Sequence, residues 1–67
     1  MSIAKTVEIS AQSSASFEDA IRQGIQRASK TIKNIQSAWV AEQKVDVEDG
    51  KVVAYRVHMK VTFVLEE

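Results

Sequence analysis

The stretch Val47–Leu65, VEDGKVVAYRVHMKVTFVL, decides the fold. Asp49-Gly50 sits between two runs rich in β-branched residues, and Asp-Gly is among the strongest short hairpin signals because the favoured two-residue turn needs positive φ at both central positions. Beyond the turn the chain alternates. Val53, Tyr55, Val57, Met59, Val61, Phe63 and Leu65 fall on one face, and Ala54, Arg56, His58, Lys60, Thr62 and Val64 on the other. A period of two with one apolar face predicts a half-buried strand. The run KVVAYRVHMKVTFVLEE, 51–67, is that strand, and AWVAEQKVDV, 38–47, is its hairpin partner.

A two-residue turn at Asp49-Gly50 puts Glu48 opposite Lys51. Counting back sets Trp39 opposite Lys60, Ala41 opposite His58 and Gln43 opposite Arg56. Trp39, Val45 and Val47 then share a face with the basic residues, while Ala38 and Val40 point the other way. A bulge in either strand would reverse this parity.

Upstream, SFEDAIRQGIQRASKTIKNI, 16–35, has a different period. Phe17, Ile21, Ile25, Ala28, Ile32 and Ile35 recur at spacings of three and four and form one helical stripe. Ser16 suits the N-cap, with Asp19 three residues on. Glu18 and Asp19 in the first turn and Lys30 and Lys33 near the end match the helix dipole. Gly24 inside the helix costs about 1 kcal/mol relative to alanine, which close packing against a sheet would explain. Before the helix, AQSSAS, 11–16, reads as a loop. IAKTVEIS, 3–10, alternates Ile3, Lys5, Val7 and Ile9 against Ala4, Thr6, Glu8 and Ser10, as a strand does. The fold class is therefore α+β, in the order β-α-β-β, with one helix on a three-stranded antiparallel sheet.

One helix covers one face. The other carries Trp39 and the basic stripe, and an exposed patch of this kind marks an interaction surface. Chain length points the same way. Sixty-seven residues make one domain, 1–67, and such a chain buries only about 60% of the surface its unfolded form exposes. Small domains gain stability from disulfides, metals or oligomerisation. There is no cysteine and only one histidine, His58, so self-association is the expected staple. Nine basic and nine acidic side chains balance, which disfavours non-specific nucleic-acid binding. No segment has the roughly 20 apolar residues of a membrane span, and MSIAKTVEIS has no leader pattern. The expectation is a cytoplasmic protein with no nucleic-acid or membrane partner.

The chain resembles the dodecins, small β-α-β-β proteins of about this length. The resemblance rests on TVEIS, on SFEDAIRQGIQRASKTIKNI with its AI and RAS-x-T pattern, on the EDGKV hairpin and above all on YRVHMKVTFVLEE. It covers nearly the whole chain. It implies a hollow homododecamer that binds flavins such as riboflavin or FMN in pairs and stores them without catalysis. Two positions depart from the family pattern. Ser37 stands where typical dodecins have the flavin-stacking tryptophan, with Trp39 two residues later. Arg56 stands where they have a flavin-bonding glutamine. The chain is thus similar to a divergent branch, which includes flavin-free members proposed to bind calcium.

The candidate ligand residues are Trp39, Arg56, Ser37, His58 and Lys60. Trp39 can stack on a flat heterocycle or fill a subunit interface. Arg56, His58 and Lys60 can hold an anion such as a phosphate or pair with acids such as Glu8 and Glu42. Asp46, Glu48 and Asp49 at the hairpin offer oxygen ligands for a hard cation, and so do Glu66 and Glu67, but no calcium-loop spacing is present. Nothing resembles a Gly-rich phosphate loop or a nucleophile beside a base. The function expected is non-enzymatic small-ligand binding or storage, with flavin as candidate cofactor. The alternative is a flavin-free cage that binds metal ions.

Overall fold

The computed structural model describes residues 3–65. Glu66 and Glu67 lie outside the described residues. The elements are β1 (Ile3–Ser13), α1 (Phe17–Ala28), β2 (Ile35–Glu48) and β3 (Lys51–Leu65). The strands form one antiparallel sheet in the order β1-β3-β2. The fold is the one read from the sequence: one helix on a three-stranded antiparallel sheet. Among the described residues no helix is long and apolar enough to cross a membrane.

The turn forms as Asp49-Gly50 predicts, with φ of 50° and 76°, both in the left-handed region a tight hairpin requires. Ser16 caps α1: its backbone is extended, and its Oγ accepts the Asp19 N–H at 2.9 Å. Asp19 does not close the box back onto Ser16. Its carboxylate instead accepts the Ser13 hydroxyl at 2.6 Å and the Gln23 amide at 2.7 Å. Ser13 is therefore buried and ordered, and β1 runs on through Ala11, Gln12 and Ser13, where the sequence suggested a loop. Ala11 pairs with Val57 and Ser13 with Tyr55.

The helix ends sooner than its apolar stripe. Ser29 is the C-cap, and its hydroxyl donates to the Ile25 carbonyl at 2.8 Å. Such local bonds compete with helix propagation, and the β-branched Thr31 and Ile32 follow. Asn34 then takes φ 63°, which turns the chain so that Ile35 opens β2. Ile32 and Ile35 thus lie outside the helix, as do Lys30 and Lys33, and Arg27 is the basic residue of its last turn.

The core lies between α1 and the two strands beneath it. Ala20, Val57 and Met59 are buried together, with Ile9, Ala11, Phe17, Ile21 and Ile25 packed against them. Val61 is also fully buried, and Phe63 half-buried. Phe17 meets Tyr55 edge-to-face with ring centroids 5.1 Å apart. Gly24 marks the closest approach: a Cβ there would lie 2.9 Å from Met59 Cε and 3.1 Å from Ala11 Cβ.

Met59 is 1% exposed, so Met59→Ala is expected to cost about 2–5 kcal/mol in urea denaturation. Gly24→Ala should cost less in the Met59→Ala background than in the wild type, because truncation removes the atom its Cβ meets first. Equal effects in both backgrounds would show that this contact does not require the glycine.

Candidate functional site

The uncovered face of the sheet is built by register. Residues directly opposite each other in a ladder share a face. On β1 and β3 the pairing places Thr6 beside Thr62, Glu8 beside Lys60, Ser10 beside His58 and Gln12 beside Arg56. On the other side of β3, Ser37 faces Thr62 and Trp39 faces Lys60. Trp39 thus lies on the uncovered face, as the hairpin register predicts. It is 50% exposed, and the Lys60 ammonium lies 5.9 Å from its ring centroid.

The hairpin register fails between Trp39 and the turn. Val40 pairs with Met59 and Glu42 with the next residue, His58, so Ala41 is an extra residue in β2. Ala41 therefore does not face His58, and Gln43 does not face Arg56. Glu42 and Lys44 take those places, and Val45 faces Tyr55. A second irregularity near the turn, with Val53 as the extra residue on β3, restores the Val47–Val52 and Glu48–Lys51 pairs. The first bulge turns Val45 and Val47 away from Trp39's face. Both belong to the helix side of the sheet, where α1 does not reach them, and they are 38% and 58% exposed. Bulges add one residue and invert the alternation beyond them, and neither Ala41 nor Val53 is a residue type that announces one.

The basic stripe is partly neutralised within the chain. Arg56 Nε donates to Asp46 Oδ2 at 2.8 Å. Asp46 reaches that position because the bulge at Ala41 turns it to the uncovered face, so it does not act with Glu48 and Asp49 as a free acidic tip. His58 holds Ser10 Oγ at 3.0 Å through Nδ1 and Glu8 Oε1 at 3.3 Å through Nε2. Thr6 and Thr62 hydroxyls are 3.3 Å apart. Among the described residues no three histidine or acidic side chains are grouped to hold a metal ion.

The five candidate residues all lie on this face but in two groups. Arg56 and His58 line an open pocket of about 500 Å³, together with Ser10, Gln12, Glu42 and Lys44. Trp39 and Lys60 form a neighbouring stacking platform, and Ser37 lies beyond it beside Thr62. Lys60 and Arg56 are four residues apart on one strand, about 13 Å. Lys44 was missed from the sequence because the straight register pointed it to the opposite face; Glu42, named there as an acid for the basic stripe, does stand opposite His58, brought there by the bulge.

The Arg56–Asp46 pair is exposed at both ends, and such pairs contribute about 0.2–1 kcal/mol. Arg56→Gln is therefore expected to lower stability by under about 1 kcal/mol, measured by thermal or urea unfolding. A loss several times larger would show that Arg56 is a structural residue.

Comparison with known proteins places this geometry. The dodecin family model matches residues 3–66. The calcium dodecin of Mycobacterium tuberculosis is 33% identical over 63 residues, covering 94% of this chain and 89% of that protein. The dodecin from Streptomyces davaonensis superposes with a TM-score of 0.93 at 35% identity, covering 98% of this chain and 97% of the other. A single-site variant of the Thermus thermophilus dodecin superposes with a TM-score of 0.94 at 31% identity, and the match covers 100% of both chains.

Proposed function

The chain belongs to the dodecin family, and from that premise we propose that it is a non-enzymatic, homododecameric small-ligand binding and storage protein of the cytoplasm. The ligand surface is the uncovered sheet face, and a flavin, FMN or riboflavin, is the candidate ligand. The observation that carries this reading is Trp39, half exposed beside Lys60 on a face that no element among the described residues covers. A flat ring stacks on the indole. Lys60 and His58 supply polar contacts along the strand, and Arg56 offers donors at its far end. Ser37, at the usual tryptophan position, has no ring and leaves the stacking to Trp39. Self-association is supported by the edge strand β2, nearly all of which is exposed, including Val40, Val45 and Val47.

Arg56 has only donors. It cannot accept a flavin N–H, but it bonds a carbonyl oxygen or a phosphate. FMN is therefore expected to bind more tightly than riboflavin, with an affinity that falls as salt rises. Titration of both into ligand-free protein, followed by flavin and Trp39 fluorescence at two salt concentrations, checks this. Salt-independent riboflavin binding as tight as that of FMN would overturn the anionic preference. Native mass spectrometry is expected to give a dodecamer, and a folded monomer at micromolar concentration would sink the oligomeric reading.

A second reading follows from one relative. That protein is a calcium dodecin, and a flavin-free cage that binds calcium is the alternative here. Among the described residues no three acidic or histidine side chains are grouped, so a calcium site would need ligands from Glu66, Glu67 or a second subunit. Calcium binding by calorimetry, with unchanged Trp39 emission on flavin addition, favours the cage.

A further inference from the structure

Pairing of β1 with β3 brings together three side chains that are far apart in the sequence. Ser10 stands directly opposite His58, and its Oγ lies 3.0 Å from His58 Nδ1. Glu8, two residues back on β1, reaches the other ring nitrogen, with Oε1 3.3 Å from His58 Nε2. Lys60 is the direct partner of Glu8 in the ladder, but its ammonium sits over the Trp39 ring, which leaves the carboxylate to the imidazole. These two contacts fix the proton. An ionised carboxylate only accepts hydrogen bonds, so Nε2 carries the hydrogen of the neutral ring, Nδ1 carries the lone pair, and the Ser10 hydroxyl donates to it. A hydroxyl, a base in contact with it and a carboxylate that orients the base form the arrangement that activates nucleophilic serines. Ser10 and His58 are 48 residues apart, which is why no nucleophile beside a base is visible in the sequence. Ser10 is exposed, and both residues line the open pocket of about 500 Å³, so a small molecule can reach the hydroxyl.

We propose that Ser10 is a covalent acyl-acceptor site, with His58 as its base and Glu8 as the residue that positions the ring. The Ser10 oxygen attacks the acyl carbon, a new C–O bond forms, and the hydroxyl proton passes to His58 Nδ1. The bond to the leaving oxygen then breaks and the electron pair departs with it. The proton on Nδ1 goes to that oxygen or to water. The surroundings set the class of donor. Strand N–H groups lie in the plane of the sheet, whereas the Ser10 side chain stands out of it, so the backbone forms no oxyanion hole of the kind that accelerates acyl transfer. The donor must therefore be activated already, as an aryl ester or an acyl phosphate is. For the same reason the acyl group stays on Ser10, and the site is one of stoichiometric modification, not of turnover. It belongs to three residues of this chain and does not rest on which ligand the face stores.

The purified protein and p-nitrophenyl acetate test it, with p-nitrophenolate release followed by absorbance and the acetyl group located by peptide mass mapping. Ser37 is the internal reference: it is exposed on the same face, and its ladder neighbour is Thr62, not a base. Ser10 is expected to take up one acetyl group at least about a hundredfold faster than Ser37, the usual gain from a positioned base. Hydroxylamine should remove that label, because it cleaves an ester and spares an acetyl amide on lysine. His58→Gln keeps an amide able to bond Glu8 and Ser10 but has no base, and it should lower the Ser10 rate to that of Ser37. The charged groups facing His58 are Glu8 from β1, Glu42 from β2 and Arg56 and Lys60 from β3, with Lys44 opposite Arg56; α1 lies on the other face. With His58 as base, the Ser10 rate should fall in acid as the imidazole takes up its proton and level off in alkali, whereas the Ser37 rate keeps rising with hydroxide. Trp39 emission checks that each variant keeps its fold. The proposal is wrong if Ser10→Ala releases p-nitrophenolate as fast as the wild type, with the acetyl group on lysine or on His58. Equal labelling of Ser10 and Ser37, or an unchanged Ser10 rate in folded His58→Gln, also overturns it.

Discussion

The structure depends on a mismatch of length between one helix and the sheet it covers. Twelve helical residues span about 18 Å at 1.5 Å per residue. The fifteen residues of β3 reach about 50 Å when extended, and the longest dimension of the chain is 52 Å. A helix of that length shields only part of one face. It lies over β1 and the middle of β3, so that Val57, Met59 and Val61 disappear from solvent while β2 stays almost wholly exposed. Gly24 belongs to the same constraint. With so little helix, burial must come from close approach, and the missing side chain lets the backbone settle on Met59 and Ala11.

Two kinds of surface follow from that shortfall, and they differ in chemistry. On the helix side, beyond the reach of α1, Val45, Val47, Val52 and Val53 stay exposed near the turn, an apolar patch of the kind that marks contact with another protein surface. The opposite face is polar apart from Trp39, Ala4, Ala54 and Val64. Its side chains are tied to one another across strands: Thr6 to Thr62, Ser10 and Glu8 to His58, Asp46 to Arg56. A face organised by cross-strand hydrogen bonds is ordered and wet at once, which suits a small polar ligand better than a buried protein contact.

How much of this was legible depends on whether the signal was local. The Asp49-Gly50 turn, the alternation along β3, the Ser16 cap and the position of Trp39 opposite Lys60 all rest on a few neighbouring residues, and all hold. The helix end was misjudged because apolar spacing continued through Ile32 and Ile35, while the Ser29 cap bond and the left-handed Asn34 ended the helix. Ala11 to Ser13 looked like loop because small polar residues carry no period. Their strand character comes from pairing with Val57 to Tyr55 and from the hydrogen bond between Ser13 and Asp19, which are long-range partners for a strand and a neighbour across the loop for a side chain.

The bulge at Ala41 is the one feature that changed the chemistry of the site, and it was the least visible. EQKVDV alternates cleanly, with Glu42, Lys44 and Asp46 on one parity and Gln43, Val45 and Val47 on the other, but the alternation by itself does not say which parity faces α1. What settles the choice is the helix side of β3. Met59, Val57 and Tyr55 ask for Val40, Gln43 and Val45 as neighbours, and one extra residue allows β2 to supply them while Trp39 keeps its outward position. The cost is a lysine opposite an arginine. A sheet that served stability alone would gain from an acidic or neutral residue at position 44. That Asp46 lies one row away and engages only one nitrogen of Arg56 leaves unspent positive charge in a pocket. In a chain whose total charge is zero, this charge separation is local, and it makes the uncovered face cationic at Arg56 and Lys44 and acidic at Glu42 in the next row.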